Sequence, residues 1–159
     1  MKNPSPRDPE ALVAQFHETY NMPISTAEPS VDFQRVHMRI SLIMEEVSEL
    51  VTAVYGACAG EAIQEAAAKL RELDEGRRDV VEAADALADL TYVVYGMALE
   101  SGISLPAVLE QVQASNMSKL GADGKPIYRE DGKVLKGPNF FQPDIARALK
   151  QRISVEKHS

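Results

Sequence analysis

The chain has 159 residues, a net charge of −7, a pI near 5.0 and one cysteine. That length suits one domain with its own core, and the acidic balance argues against nonspecific binding to nucleic acid or an anionic membrane. The lone thiol, Cys58, excludes an intramolecular disulfide and a thiolate metal site, and is expected as a small buried apolar residue.

The opening residues Met1-Lys2-Asn3-Pro4-Ser5-Pro6 are polar and lack the apolar stretch of a signal peptide. Acids interrupt both long apolar runs before either reaches spanning length, so a soluble, cytoplasmic protein is expected. Asp8-Pro9-Glu10 combines a capping Asp, a proline at the first helical position and an acid in the first turn. The helix it starts carries Leu12, Val13, Phe16 and Tyr20, and Asn21-Met22-Pro23 should end it. After a loop rich in Pro and Ser, a long second helix is expected from about Val31 to Cys58, closed by Gly56 and Gly60. Glu61 to Leu73 reads as an Ala-rich amphipathic segment, suited either to intrachain packing or to an interface. Asp79 to Glu100 is the fourth helix, with Gly102 as its C-cap. Ser104 caps a fifth helix through about Ser118.

Beyond Leu120 the composition changes. Gly121 to Pro126 and Asp131-Gly132-Lys133 are turn signals around a short extended piece, Ile127-Tyr128-Arg129, that forms a small hairpin or a loop. Pro143-Asp144 starts a last helix, Ile145 to about Ile153. The expected architecture is a single all-α domain over residues 1–159, a bundle of four to five main helices. Within it, a helical body spans 8–118, a basic loop or flap 119–142 and a short C-terminal helix 143–153.

Two acidic clusters stand out on this frame. Glu45, Glu46 and Glu49 lie within the apolar stretch Val36–Val54, and Glu82, Asp85 and Asp89 are the only charged residues between Val80 and Leu99. Spacings of three and four place each cluster on one helical face. A helix apolar nearly all round belongs in an interior, where an unpaired carboxylate is costly. If the two helices pack antiparallel, the stripes meet and offer only oxygen ligands, a donor set for hard divalent cations with Mg²⁺ first. Such a site suits phosphoryl chemistry. A carboxylate-bridged di-iron bundle is the nearest chemical rival, but it uses Glu-x-x-His pairs, and no His stands three after any of these acids. A non-catalytic metal-binding bundle is a second alternative. His17 and His37 are lone histidines, better read as structural than as ligands. The sequence has no Gly-x-x-x-x-Gly-Lys-Ser/Thr loop, which excludes a P-loop enzyme.

Glu45-Glu46-Val47-Ser48-Glu49 resembles the Glu-Glu-x-x-Glu signature of the MazG-like, all-α nucleoside triphosphate pyrophosphohydrolases. Asp85-Ala86-Leu87-Ala88-Asp89-Leu90-Thr91-Tyr92 resembles their second motif, an acid followed by Leu-x-Tyr. Ser115-Asn116-Met117-Ser118-Lys119, Asp131-Gly132-Lys133-Val134-Leu135-Lys136 and Phe16-His17 resemble elements of the branch that includes dUTP-cleaving members. One departure matters: the second motif is usually Glu-x-x-Asp, and anchoring on Asp89 puts Ala86 where the Glu belongs. Either Asp85 stands in for it, with Glu82 at the edge, or Glu82-Ala83-Ala84-Asp85 is the motif and the anchor is lost.

The resemblance implies cleavage of a nucleoside triphosphate, dUTP foremost, to monophosphate and pyrophosphate by water attack on the α-phosphorus. It implies Glu46, Glu49, Asp85, Asp89 and Glu82 as Mg²⁺ ligands (Mn²⁺ as a substitute), with Glu45 or Glu46 orienting or deprotonating the water. It also favours a homodimer or higher homo-oligomer. Lys119, Lys133 and Lys136 are candidate phosphate contacts, Asn116 a base or sugar contact, and Phe16 or Tyr128 a surface for the base, against the alternatives of a solvated loop and of core packing for Phe16.

Overall fold

The computed structural model describes residues 4–130, 132–151 and 153, which carry six helices and no strand. In order these are α1 (Pro9–Thr19), α2 (Val36–Tyr55), α3 (Ala57–Lys69), α4 (Val80–Glu100), α5 (Leu105–Met117) and α6 (Ile145–Ala148). The all-α class expected from the sequence is the class observed. The described residues fall into two compact units, one spanning Ala27–Ala86 and the other combining those up to Thr26 with those from Leu87 onward. The division falls inside α4.

Side-chain caps start α1 and α6 where the sequence predicts and α4 where it names none, whereas Ser104 takes the N-cap position of α5 without a side-chain capping hydrogen bond. Asp8 Oδ1 accepts the Ala11 amide at 3.0 Å at the head of α1, and Asp144 Oδ1 accepts the Arg147 amide at 2.9 Å at the head of α6. Asp79 Oδ1 accepts the amides of Val81 and Glu82 at 3.1 and 3.2 Å, satisfying two otherwise orphaned donors of α4. Gly102 takes φ 70° past the end of α4, where the Ile103 amide returns to the Ala98 carbonyl at 2.8 Å.

The unit spanning Ala27–Ala86 corrects the expected second helix. It begins at Val36, five residues later than predicted, because the Ser30 hydroxyl accepts the Asp32 amide and holds the segment before it in a turn. At its other end the chain breaks at Gly56, whose φ of 98° a side chain would resist, and α3 starts at the next residue. Gly60 is therefore no terminator. It lies buried within α3, where an added Cβ would collide with the Thr52 hydroxyl, so its bareness lets α3 approach α2. The buried Ser48 hydroxyl donates to the Gly60 carbonyl at 3.0 Å across that contact. The first turn of α3 thus packs on α2 of the same chain. Cys58, expected in the core, is exposed on the first turn of α3.

A second anchor of this unit is ionic. Arg78 grips Asp74 with two nitrogens, Nη1 to Oδ1 at 2.9 Å and Nη2 to Oδ2 at 2.8 Å, and its Nε lies 3.6 Å from Asp32 Oδ1. His37 Nε2 approaches the same Asp74 at 3.4 Å from the first turn of α2. Two loop carboxylates are tied to one guanidinium, and His37 joins them through Asp74.

In the other unit α1 packs on α5. Gln113 Nε2 donates to the Leu12 carbonyl at 3.1 Å and to Gln15 Oε1 at 2.8 Å, so a half-buried Gln113 meeting the buried Gln15 fixes the register. The segment after α5 bends back on itself as a minimal hairpin, with an isolated antiparallel bridge between Tyr128 and Val134. The Leu135 amide donates to Ile127 at 2.8 Å, and the Arg129 amide to Lys133 at 2.9 Å. Gly137 then donates to the Lys119 carbonyl at 3.0 Å, and a Cβ there would collide with the Leu120 carbonyl. α6 ends at Ala148 rather than near Ile153, its last turn tightening through amides of Lys150 and Gln151 that reach three residues back.

Two outcomes follow from these anchors. The Arg78 hydrogen bonds, the Gly76 amide and the nearby positive charge hold the Asp74 carboxyl well below its usual range. A depressed carboxylate contributes stability that is present above the unfolded value near 4 and lost as pH falls through the folded value. Melting temperature should therefore fall below about pH 4, modestly because the pair is solvent-screened, and Asp74→Asn should flatten that slope in thermal scans from pH 2 to 6. Gly137→Ala should cost about 1–3 kcal/mol by overpacking against backbone that cannot rotate away, read as a lower denaturation midpoint.

Candidate active site

α2 and α4 carry the six acids through ordinary helical geometry. Glu45, Glu46 and Glu49 share one face of α2, and Glu82, Asp85 and Asp89 share one face of α4. All six are exposed, contrary to the interior placement expected of them. Among the described residues no group of three or more Asp, Glu, His or Cys side chains gathers to hold a metal ion. The donor chemistry suits Mg²⁺, since every candidate ligand is a carboxylate, but the described side chains of one chain do not bring enough of them together.

α4 is unusual beyond its acids. It is the most apolar helix of the six, yet among its residues only Ala98 is buried. Val81, Tyr92 and Val93 stand 73%, 82% and 61% exposed. No single helix among the described residues is long and apolar enough to cross a membrane. The composition of an interior helix is thus displayed on a surface.

The predicted substrate contacts behave differently, because several come together around the end of α1. Phe16 and Tyr20, four apart on α1, stack with centroids 4.5 Å apart. Lys119 Nζ sits 5.9 Å from the Phe16 ring centroid, a cation over an aromatic face. Tyr20 is fully buried and donates its hydroxyl to the Asn116 carbonyl at 2.8 Å. Tyr128 reaches in from the hairpin and donates to the Tyr20 carbonyl at 2.6 Å. Burial pushes the Tyr20 phenol up, against a smaller opposing effect of the Lys119 backbone. Phe16, Asn116, Lys119 and Tyr128 therefore share one neighbourhood, with Tyr20 as its hub. Lys136 stands apart in a contact of its own, its Nζ 4.5 Å from the Phe140 ring centroid. Lys133 is half-buried beside the hairpin turn, whose residue Asp131 lies outside the described set.

The C-terminal segment is fastened to the same end of α5. The buried Ser115 hydroxyl donates to the Phe141 carbonyl at 2.7 Å, and the Phe141 amide donates to the Ser118 hydroxyl at 3.1 Å. The basic segment from Lys119 to Lys136 is thus pinned at both ends and folded between them. Sequence reasoning missed Tyr20 and Phe140 as organisers. A signal for Tyr20 existed in its spacing of four from Phe16, which puts two aromatics on one face of α1. His17 bears out the structural reading: its Nδ1 lies 2.9 Å from the Pro23 carbonyl, closing the turn after α1.

Comparison with known proteins supplies the wider frame. The chain matches the family model described as phosphoribosyl-ATP pyrophosphohydrolase over residues 13–116. It is 33% identical over 133 residues to an uncharacterized protein of Acanthamoeba polyphaga mimivirus. That alignment takes in 78% of this chain and 45% of the viral protein, so the chain spans less than half the length of that relative. Among solved structures it is similar to a candidate NTP pyrophosphohydrolase from Exiguobacterium sp. 255-15, at 29% identity and a TM-score of 0.63 across 94% of each chain. The family match runs from α1 through α5 and contains both carboxylate stripes. With more than half of its sequence inside that match, the chain belongs to the phosphoribosyl-ATP pyrophosphohydrolase family, whose members are built on an all-helical fold of this kind.

Proposed function

We propose that this chain is a Mg²⁺-dependent nucleoside triphosphate pyrophosphohydrolase that cleaves its substrate to the monophosphate and pyrophosphate, with dUTP as the leading candidate. The observation that carries the reading is the pair of carboxylate stripes on apolar helices within the span matched to a pyrophosphohydrolase family. Glu46, Glu49, Asp85 and Asp89, with Glu82 at the edge, would hold Mg²⁺ or Mn²⁺. When bound, the cation neutralises triphosphate charge and lowers the pKa of a neighbouring water.

The chain's own groups do the rest. The carboxylate of Glu45 or Glu46 orients the water and takes its proton as the oxygen bonds to the α-phosphorus. The bond from that phosphorus to the bridging oxygen breaks, and pyrophosphate leaves with the electron pair. Positioning and charge complementarity, not covalent chemistry, supply the acceleration. Lys119, Lys133 and Lys136 offer the positive charge that an acidic protein needs beside a triphosphate. Phe16 and Tyr128 provide aromatic surface near Asn116, which suits a nucleobase and its sugar.

The decisive assay is pyrophosphate release with Mg²⁺ over a panel of canonical and modified nucleoside triphosphates together with phosphoribosyl-ATP. Turnover of one nucleotide class is expected, reduced roughly 100-fold or more in Glu46→Ala and Asp89→Ala. No turnover of any panel member by folded protein, with either Mg²⁺ or Mn²⁺, would refute the enzyme reading. Selective cleavage of phosphoribosyl-ATP would replace dUTP as the substrate.

A further inference from the structure

We infer that Tyr20 is a positioning residue that sets which nucleoside the site accepts, by fixing Asn116 and Tyr128 to one buried ring. The inference rests on the proposed function and deepens it, since it concerns the nucleoside end of the substrate rather than the cleavage. Tyr20 is fully buried at the end of α1, and its two polar groups meet segments 96 and 108 residues away. Its hydroxyl donates to the Asn116 carbonyl at 2.8 Å, and its carbonyl accepts the Tyr128 hydroxyl at 2.6 Å. Its ring lies against Phe16 with centroids 4.5 Å apart. The three candidate nucleoside contacts, Phe16, Asn116 and Tyr128, therefore each touch Tyr20 directly.

Packing accounts for the ring, but the hydroxyl needs another reason. A phenylalanine would fill the same space and require no partner. Asn116 lies in the last turn of α5, where carbonyls lack an intrahelical donor, and the Lys119 amide already reaches its oxygen at 3.3 Å. The Tyr20 hydroxyl is thus a second, shorter bond to an acceptor that has a partner, and its effect is to hold Asn116 in place. The flanking residues are held as firmly. The Ser115 hydroxyl donates to the Phe141 carbonyl at 2.7 Å, and the Ser118 hydroxyl donates to the Ser115 carbonyl at 2.7 Å. With this backbone fixed, the Asn116 side-chain amide makes no hydrogen bond among the described residues. An amide offers one acceptor and two donors, the inventory that a base edge or a sugar hydroxyl requires. What it can reach is set by the backbone beneath it.

Tyr128 depends on the same anchor. Its hairpin has one isolated bridge to Val134 and backbone bonds from Leu135 to Ile127 and from Arg129 to Lys133. A two-stranded piece of that size is marginal by itself. Tyr128 is 44% exposed, and the bond to the Tyr20 carbonyl ties its phenol back to α1. The ring is thereby ordered before any base meets it, which removes that ordering cost from binding. A ring and an amide held at a fixed spacing discriminate between nucleosides, because a base of the wrong size or edge leaves the amide unpaired.

Two variants each delete one hydroxyl and keep the ring, Tyr20→Phe and Tyr128→Phe. The second changes an exposed hairpin residue and stays measurable should the first fail to fold. For the nucleotide that the wild type cleaves best, KM should rise roughly three- to tenfold in each, the scale of one hydrogen bond, with the loss in KM rather than kcat. Inhibition by inorganic tripolyphosphate, which shares the phosphates and lacks the nucleoside, should not change. A merely structural defect would weaken both together. Equal shifts of the two constants, or an unmoved nucleotide KM, overturn the inference and leave the reaction standing. Calorimetry with Mg²⁺ and the non-cleavable α,β-imido analogues of dUTP and ATP gives the same reading without turnover. The wild type's preference between them should shrink in Tyr20→Phe, and an unaltered preference overturns the inference. A wild type that binds an analogue but cleaves no nucleotide refutes the proposed function alone, and the preference still decides the role of Tyr20. A wild type that binds neither analogue and cleaves nothing refutes both.

Discussion

The cost of exposing α4 governs this molecule. A helix made almost entirely of Val, Ala, Leu, Met and Tyr gains stability only by leaving water, at about 25 cal/mol for each Å² of apolar surface covered. The same helix carries four carboxylates, three of them within its apolar run, that resist leaving water unless a counter-charge meets them. Satisfying one demand without the other is unfavourable. A cover that brings both apolar surface and the means of neutralising the acids resolves the conflict, and a phosphate-handling cation centre is one chemistry that does so.

Against that unsettled helix the rest of the chain is well tied. Around the end of α1, Tyr20 is bonded through its hydroxyl to Asn116 and through its carbonyl to Tyr128. One buried ring thereby couples α1, the end of α5 and the hairpin. In the other unit Arg78 does the equivalent with Asp74 and Asp32. Whereas Arg78 holds its neighbour Asp74 by two hydrogen bonds and reaches the distant Asp32 as an ion pair, Tyr20 joins segments distant in sequence through hydrogen bonds. This leaves the basic segment positioned by the body of its unit, where a free loop of lysines would have to lose its mobility on meeting a triphosphate.

How much of this can be read from the residues depends on the kind of signal involved. Caps are local, so Asp8, Asp144 and Gly102 announce their roles in the sequence. The family motifs are local as well, and they place the acids on the correct helices. The boundary between α2 and α3 is harder, because a glycine marks a turn and a close approach with the same letter. Gly56 is the first, with positive φ, and Gly60 the second, facing Thr52 and Ser48. Cys58 was misjudged because the usual burial of a free thiol says nothing about which face of a short helix it occupies. Tyr20 acts on partners remote in sequence, through its hydroxyl and its carbonyl, and Phe140 meets a lysine head four residues back in a segment with no helical periodicity to reveal it. The apolar pattern of α4 is the clearest case. It states that the helix must be covered and is silent about which chain supplies the cover.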